Sequence, residues 1–230
     1  MDQIRTFSDS RLEGQCIYCG KRPDSREHVP SKVLLDKPYP ENLPIVSACK
    51  KCNQAFSLDE EYLACILECT LCGTTEPRSL SRKKIINILQ RKPKLKARIE
   101  TSKRTIDNHI HFQVESERVK NVIEKLAQGI AKFENSEIQF EEPYAISYKP
   151  IILMNDQETN DFFDNEELEL LPEIGSRAFQ RIMVDNEGVP RAYWKDVQEN
   201  NFSYSIAHTP QELRVRMLIW NYLTGDVIWA

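Results

Sequence analysis

Two Cys-x-x-Cys pairs, Cys16/Cys19 and Cys49/Cys52, constrain this chain more than any other feature. Four thiolates suit a tetrahedral Zn²⁺ ion, and closed all-cysteine sites of this kind are structural. The pairs are separated by 29 residues, so one ion would close a long loop and supply folding energy to a segment with little core of its own. The opposing reading is four buried or redox-active thiols. Seven cysteines is an odd number, and Met1 to Gln15 is polar and mixed in charge, unlike a signal peptide. Metal binding in a reducing cytoplasm is therefore expected over a disulfide framework. No run approaches the roughly 18 apolar residues of a membrane span, so no membrane association is expected.

Charge is distributed unevenly. The chain of 230 residues carries a net −4, which alone argues against a nucleic-acid partner. From Arg78 to Arg104, however, eleven Lys or Arg stand against one acid, Glu100. That segment carries +10 and leaves −14 for the rest. Eight acids and no base lie between Asn155 and Glu173. A local basic stripe matters more for phosphate contact than the global sum; the plainer reading is a solvated helix face. The acidic block reads equally as a solvated helix or as a partner surface.

The expected organisation is α+β in three zones: residues 1–76 with the Cys/His constellation, a basic helical segment over 77–104, and an α+β region over 105–230. Arg26 to Val29 reads as a short strand stopped by Pro30, and Lys50 to Cys69 as a helix. Ser79 is placed to cap a helix through Gln90, interrupted at Pro93. Thr105 to Val114 alternates like a strand. Ser116 to Phe133 has Val119, Val122, Ile123, Leu126 and Ile130 on one helical stripe. Ile138 to Met154 contains extended segments. Glu212 to Ala230 reads as two strands around Thr224-Gly225-Asp226.

Between the cysteine pairs lie Arg26-Glu27-His28-Val29-Pro30 and Asn42-Leu43-Pro44, and the second pair is followed directly by Asn53. In this order the residues over about 14–58 resemble the HNH endonuclease family. The resemblance implies an N-terminal zinc-stabilised ββα-metal module that hydrolyses phosphodiester bonds in DNA. A neutral histidine suits the base role because its ordinary pKa is about 6.5, and His28 is the candidate. A hard cation, Mg²⁺ or Mn²⁺, prefers oxygen ligands, and the resemblance gives these as Glu27 and Asn53. Neighbours on a regular strand face opposite ways, so Glu27 and His28 reach one site only where the strand ends or distorts. Asn42 would hold the loop and orient His28. Arg26, Lys50, Lys51, Arg82, Lys83 and Lys84 are candidate phosphate contacts. Two departures stand out: Asn53 occupies the final position where the family name has His, and Glu27 is one methylene longer than the Asp often found there.

The family habit points to restriction, phage defence, mobile elements or toxin systems, with antiviral defence the slight preference and the C-terminal region a possible protein-partner surface. The competing classes are a non-catalytic zinc-stabilised nucleic-acid-binding or scaffold protein, and an RNase. Cys65, Cys69 and Cys72 offer a second metal site without an evident fourth ligand; the plainer reading is core packing, with Cys65 and Cys69 on one buried helix face. His109 and His111 read as an exposed strand face.

Overall fold

The computed structural model describes residues 14–230, so the reading of the N-terminus as other than a signal peptide lies outside the described residues. The elements run β1 (Ser25–His28), β2 (Ile45–Ala48), α1 (Lys50–Cys72), α2 (Lys83–Arg91), α3 (Pro93–Thr101), β3 (Lys103–Ile106), β4 (His109–Phe112) and α4 (Ser116–Asn135). They continue with β5 (Ala145–Pro150), α5 (Asp156–Phe163), α6 (Arg177–Gln180), β6 (Met183–Val184), β7 (Pro190–Arg191), β8 (Lys195–Gln198), β9 (Phe202–His208), β10 (Leu213–Ile219) and β11 (Leu223–Trp229). The protein is a mixed α and β structure. Among the described residues no helix is long and apolar enough to cross a membrane.

Two compact units emerge: residues up to Gln54 together with Ile123–Ala230, and Ala55–Val122 between them. The boundaries expected at 76/77 and 104/105 both fall inside the second unit. The strand-rich C-terminal region belongs with the cysteine segment.

In the first unit, β1 and β2 pair antiparallel, His28 opposite Ile45 and Glu27 opposite Val46. The larger sheet has five antiparallel strands in the order β5-β11-β10-β9-β8. The C-terminal half of α4 lies against it. Ile123, Leu126 and Ile130 are buried there, as a 3.6-residue stripe requires. A Cβ on Gly225 would come within 2.9 Å of Ile123 and 3.0 Å of Met217. Gly225, inside β11, is thus a place where helix and sheet approach closely. The β10–β11 reversal falls instead at Trp220 and Asn221, both at positive φ (54° and 49°). The turn expected at Thr224-Gly225-Asp226 is corrected accordingly.

The acidic block is tied to this sheet. Arg216, fully buried, donates to the carbonyls of Asp161, Phe162 and Asp164 at 3.2, 2.7 and 2.9 Å, where the last turn of α5 and the residue after it leave acceptors without helical donors. Arg214 bridges Glu166 at 2.6 Å and Asp226 at 2.7 Å. Asn155 and Glu158 form a reciprocal capping box at the start of α5. The loop between β1 and β2 is fastened to the sheet as well. Gln198 accepts from the Asp36 amide at 2.8 Å and donates to its carbonyl at 2.9 Å, and the Trp220 indole donates to the Leu34 carbonyl at 2.8 Å.

In the second unit, α2 begins at Lys83 with Arg82 in the cap position, while Ser79 ends a short 3-10 turn, so the expected Ser79 cap does not form. Pro93 opens α3, where its missing N–H costs nothing. The stretch expected as one strand over Thr105 to Val114 is the end of a hairpin, β3 against β4. Asp107 and Asn108 at its tip have positive φ (49° and 63°), as a two-residue I′ turn demands. Burial raises the thiols of Cys65 and Cys69 to about 12, as expected of core cysteines.

Candidate functional site

The first cysteine pair sits in a tight knuckle. The Cys16 carbonyl accepts from the amides of Cys19 (3.3 Å) and Gly20 (2.9 Å), and the Cys16 amide donates to Lys21. Gly20 has φ +69°, a conformation costly to a side chain, which fixes glycine at this turn. Ile17 donates to the Ser47 carbonyl and Asp24 to that of Ala48, so the knuckle is hydrogen-bonded along β2.

The second pair opens α1. Cys49 precedes the first helical residue, and its sulfur accepts from the Cys52 amide at 3.5 Å. The Asp24 carboxylate accepts from Lys50 at 2.6 Å. Two acceptors thus occupy the helix N-terminus, where unsatisfied donors and the helix dipole favour negative charge.

The four sulfurs lie within 4.8 Å of one another, and Cys19 and Cys49 are 3.8 Å apart. Sulfurs about 2.3 Å from a tetrahedral zinc stand roughly 3.8 Å from each other. The donor set is therefore compatible with a structural zinc. Among the described residues this is the one cluster of His, Cys, Asp and Glu placed to hold a metal. The Lys21 amide lowers the Cys19 thiol to about 7, while burial raises Cys16 and Cys52.

The strand β1 sorts its side chains by alternation. Glu27 turns inward and is 5% exposed; Arg26 is exposed and His28 half-buried on the opposite face. Burial, then the charge of Lys32, lowers the His28 pKa from its ordinary value, with Glu27 acting weakly the other way. Both main influences favour the neutral imidazole.

Asn53 follows Cys52 into the first turn of α1. Its Nδ2 donates to the Arg26 carbonyl at 3.2 Å and to Ser25 Oγ at 3.4 Å. This ties the residue after the fourth cysteine to the strand that ends on His28. With Nδ2 committed to the strand, Oδ1 is the end of the amide left to serve as an acceptor.

Glu27 is engaged elsewhere. Lys125 of α4 donates to its carboxylate at 2.8 Å, and both side chains are almost wholly buried (1% and 6% exposed). One helical turn on, Gly129 faces Val29, and a Cβ there would come within 2.6 Å of a Val29 methyl. Lys125 and Gly129 at i, i+4 thus meet Glu27 and Val29 at i, i+2, one face of a helix against one face of a strand. The Glu27 side chain thus lies on the face of β1 opposite His28, with its Oε1 taken by Lys125.

Asn42 is exposed in the loop before β2, two residues from Pro44, whose carbonyl accepts from Val29 at 2.9 Å. The loop that carries Asn42 therefore joins the chain immediately after His28. Arg26, Lys50 and Lys51 are exposed. Lys21 and Arg22, which sequence reasoning did not single out, line one groove with Cys19, Cys49, Lys50 and Lys51; their place within the knuckle turn was the available signal. In the other unit, Lys83 is exposed and Lys84 half-buried. Arg82 is held by the buried Glu68 at 2.9 Å, so its guanidinium is a structural partner there.

Fold and site together define an α+β protein with a four-cysteine cluster placed to bind a metal, beside a two-stranded ribbon and the start of a helix. Comparison with protein-family models, curated proteins and solved structures finds no match for this chain.

Proposed function

We propose that this protein is a metal-dependent endonuclease of the HNH type that hydrolyses phosphodiester bonds in DNA. The observation that carries the reading is the hydrogen bond from Asn53 to the Arg26 carbonyl. Combined with the four-sulfur cluster, it puts the residue after Cys52 against the strand bearing His28. His28, neutral and half-buried, accepts the proton of the attacking water. Asn53 Oδ1 is the protein oxygen offered to a Mg²⁺ or Mn²⁺ ion. Such an ion, when bound, neutralises charge on the phosphate and the departing oxygen. Arg26, Lys21, Arg22, Lys50 and Lys51 bring the nucleic-acid backbone to the site. Phosphate contacts of this kind give affinity without sequence choice. Glu27, through Lys125, positions β1 and so His28. Zinc holds the two backbone pieces and takes no part in the chemistry. A role in antiviral defence, a cytoplasmic setting and a protein partner for the C-terminal region extend the same proposal.

Supercoiled plasmid incubated with the zinc-loaded protein and Mg²⁺ or Mn²⁺ tests it. Nicking that His28→Ala abolishes is expected; nicking that survives His28→Ala removes the base assignment. RNA offered under the same conditions separates an RNase. One observation favours a second reading, a zinc-stabilised nucleic-acid-binding protein without cleavage: the acid beside His28 is spent on a buried ion pair. Plasmid that is bound and never cut would support it.

A further inference from the structure

A second site lies in the first unit, at the end of α4, in a cavity of about 230 Å³. Leu168, Ile182, Ile206 and the Tyr193 ring supply apolar wall, and Arg181, Arg191, Lys195 and His208 supply polar groups. Arg181 and Met183, both solvent-exposed, mark its mouth.

Two features point to a ligand. Asn135 is 2% exposed and lines the cavity, and its Oδ1 has no hydrogen-bond partner. A buried acceptor left unsatisfied costs about 1–3 kcal/mol, so a donor entering the cavity would be stabilised at Asn135 Oδ1. The second feature is charge. Glu134, fully buried, accepts from Lys195 at 3.1 Å, from Arg181 and from the Tyr204 hydroxyl. Arg177, stacked 4.4 Å from the centre of the Phe133 ring, also lies in its field. One carboxylate therefore pairs with two cations, Lys195 and Arg181. Arg191 and His208 have their own acids, Asp185 at 2.7 Å and Glu137 at 3.4 Å. The surplus of positive charge belongs to the group around Glu134.

We infer that this cavity binds a small organic anion, a single ring carrying a phosphate or a carboxylate. The anion meets the surplus charge of Lys195 and Arg181, the ring lies on the apolar wall, and a donor on the ligand satisfies Asn135. Size agrees: an apolar cavity of roughly 150 Å³ accepts benzene, which leaves room here for one ring and its charged substituent. Few polar groups converging on an apolar wall is the general form of a small-molecule site.

Titration calorimetry on the full zinc-loaded chain tests this with four probes: phenyl phosphate, benzoate, inorganic phosphate and benzyl alcohol. Saturable binding of phenyl phosphate or benzoate at Kd of about 1 mM or below is expected, with inorganic phosphate and benzyl alcohol each weaker by roughly tenfold. The preference between the first two identifies the charged group. Lys195→Gln removes a charge and Ile182→Trp fills the wall. Either variant, once its melting curve shows it folded, is expected to weaken binding by roughly tenfold or more. The inference is overturned if neither organic anion saturates, if inorganic phosphate binds as tightly as phenyl phosphate, or if a folded variant binds like the wild type. None of these readouts depends on nuclease activity.

Discussion

The cysteine segment, residues 14–54, and the five-stranded sheet, Ala145–Trp229, lie in one compact unit and are held in different ways. The first has strands of four residues and is fixed by four sulfurs at the ends of a knuckle and a helix. The second has three adjacent strands of seven residues, most of whose positions are buried, with Val215, Met217, Ile219 and Val227 fully enclosed. A metal held by those sulfurs would position the backbone of the first, whereas the second is held by apolar area. Under the proposed function, the chemistry at His28 would stand where that metal does the fixing. The sheet carries α4, and α4 carries the two residues that support β1 from behind.

That comparison can be broken in several ways. Chelation of zinc, or Cys49→Ser, has the largest expected effect, because structural zinc contributes on the order of 10 kcal/mol in small zinc modules. Circular dichroism is expected to show most of the β signal surviving while proteolysis opens within residues 14–54. Simultaneous loss of both would mean the sheet depends on the metal too.

Next comes Glu27→Gln, which leaves Lys125 buried without its counter-charge, at a cost of about 3–5 kcal/mol. Urea denaturation measures it. The apolar pair Glu27→Leu with Lys125→Met should recover most of that loss, since replacing both members of a buried ion pair is often close to neutral. A Glu27→Gln protein as stable as the wild type would show that the pair does not support β1.

Gly129→Ala forces a methyl against Val29 and is expected to cost about 1–3 kcal/mol. A double-mutant cycle with Val29→Ala should show coupling, as contacting residues do. Additivity would put the two apart.

The smallest effect is a pH dependence. Burial alone would raise the Glu134 pKa, but the charges of Lys195 and Arg181 and the Tyr204 hydrogen bond overcome it and hold it below the ordinary carboxylate value. A carboxyl depressed on folding stabilises above its unfolded pKa of about 4.3 and loses that contribution as pH falls through the folded value. Acid unfolding should show this loss, and Glu134→Gln should remove it.

What was legible in the sequence follows the same division. The cysteine pairs, β1, α1 and the buried stripe of α4 are local patterns, and each formed as its spacing required. The four-cysteine cluster is where the spacing put it. Glu27 could not be read locally. An acid beside a histidine looks like a ligand, and its true partner, Lys125, is 98 residues away. Gly225 looked like a turn residue because glycine's commonest use is a turn. Here it makes room for Ile123, a contact no window of sequence contains. The acidic block had no local reading because its partners, Arg214 and Arg216, enter from another strand. Asn135 and Glu134 gave no signal either, since their cavity is assembled from segments between Asn135 and His208.

The account rests on His28 and Asn53 addressing one cation-binding point on the outer face of β1. Titration of Mn²⁺ into the zinc-loaded protein, followed by nuclear magnetic resonance, measures that directly through paramagnetic broadening. The His28 ring and the Asn53 side-chain amide are expected to broaden first and together, ahead of signals from the far side of the unit. If both stay sharp while acidic surface residues broaden, the cation lies elsewhere and the nuclease reading is contradicted.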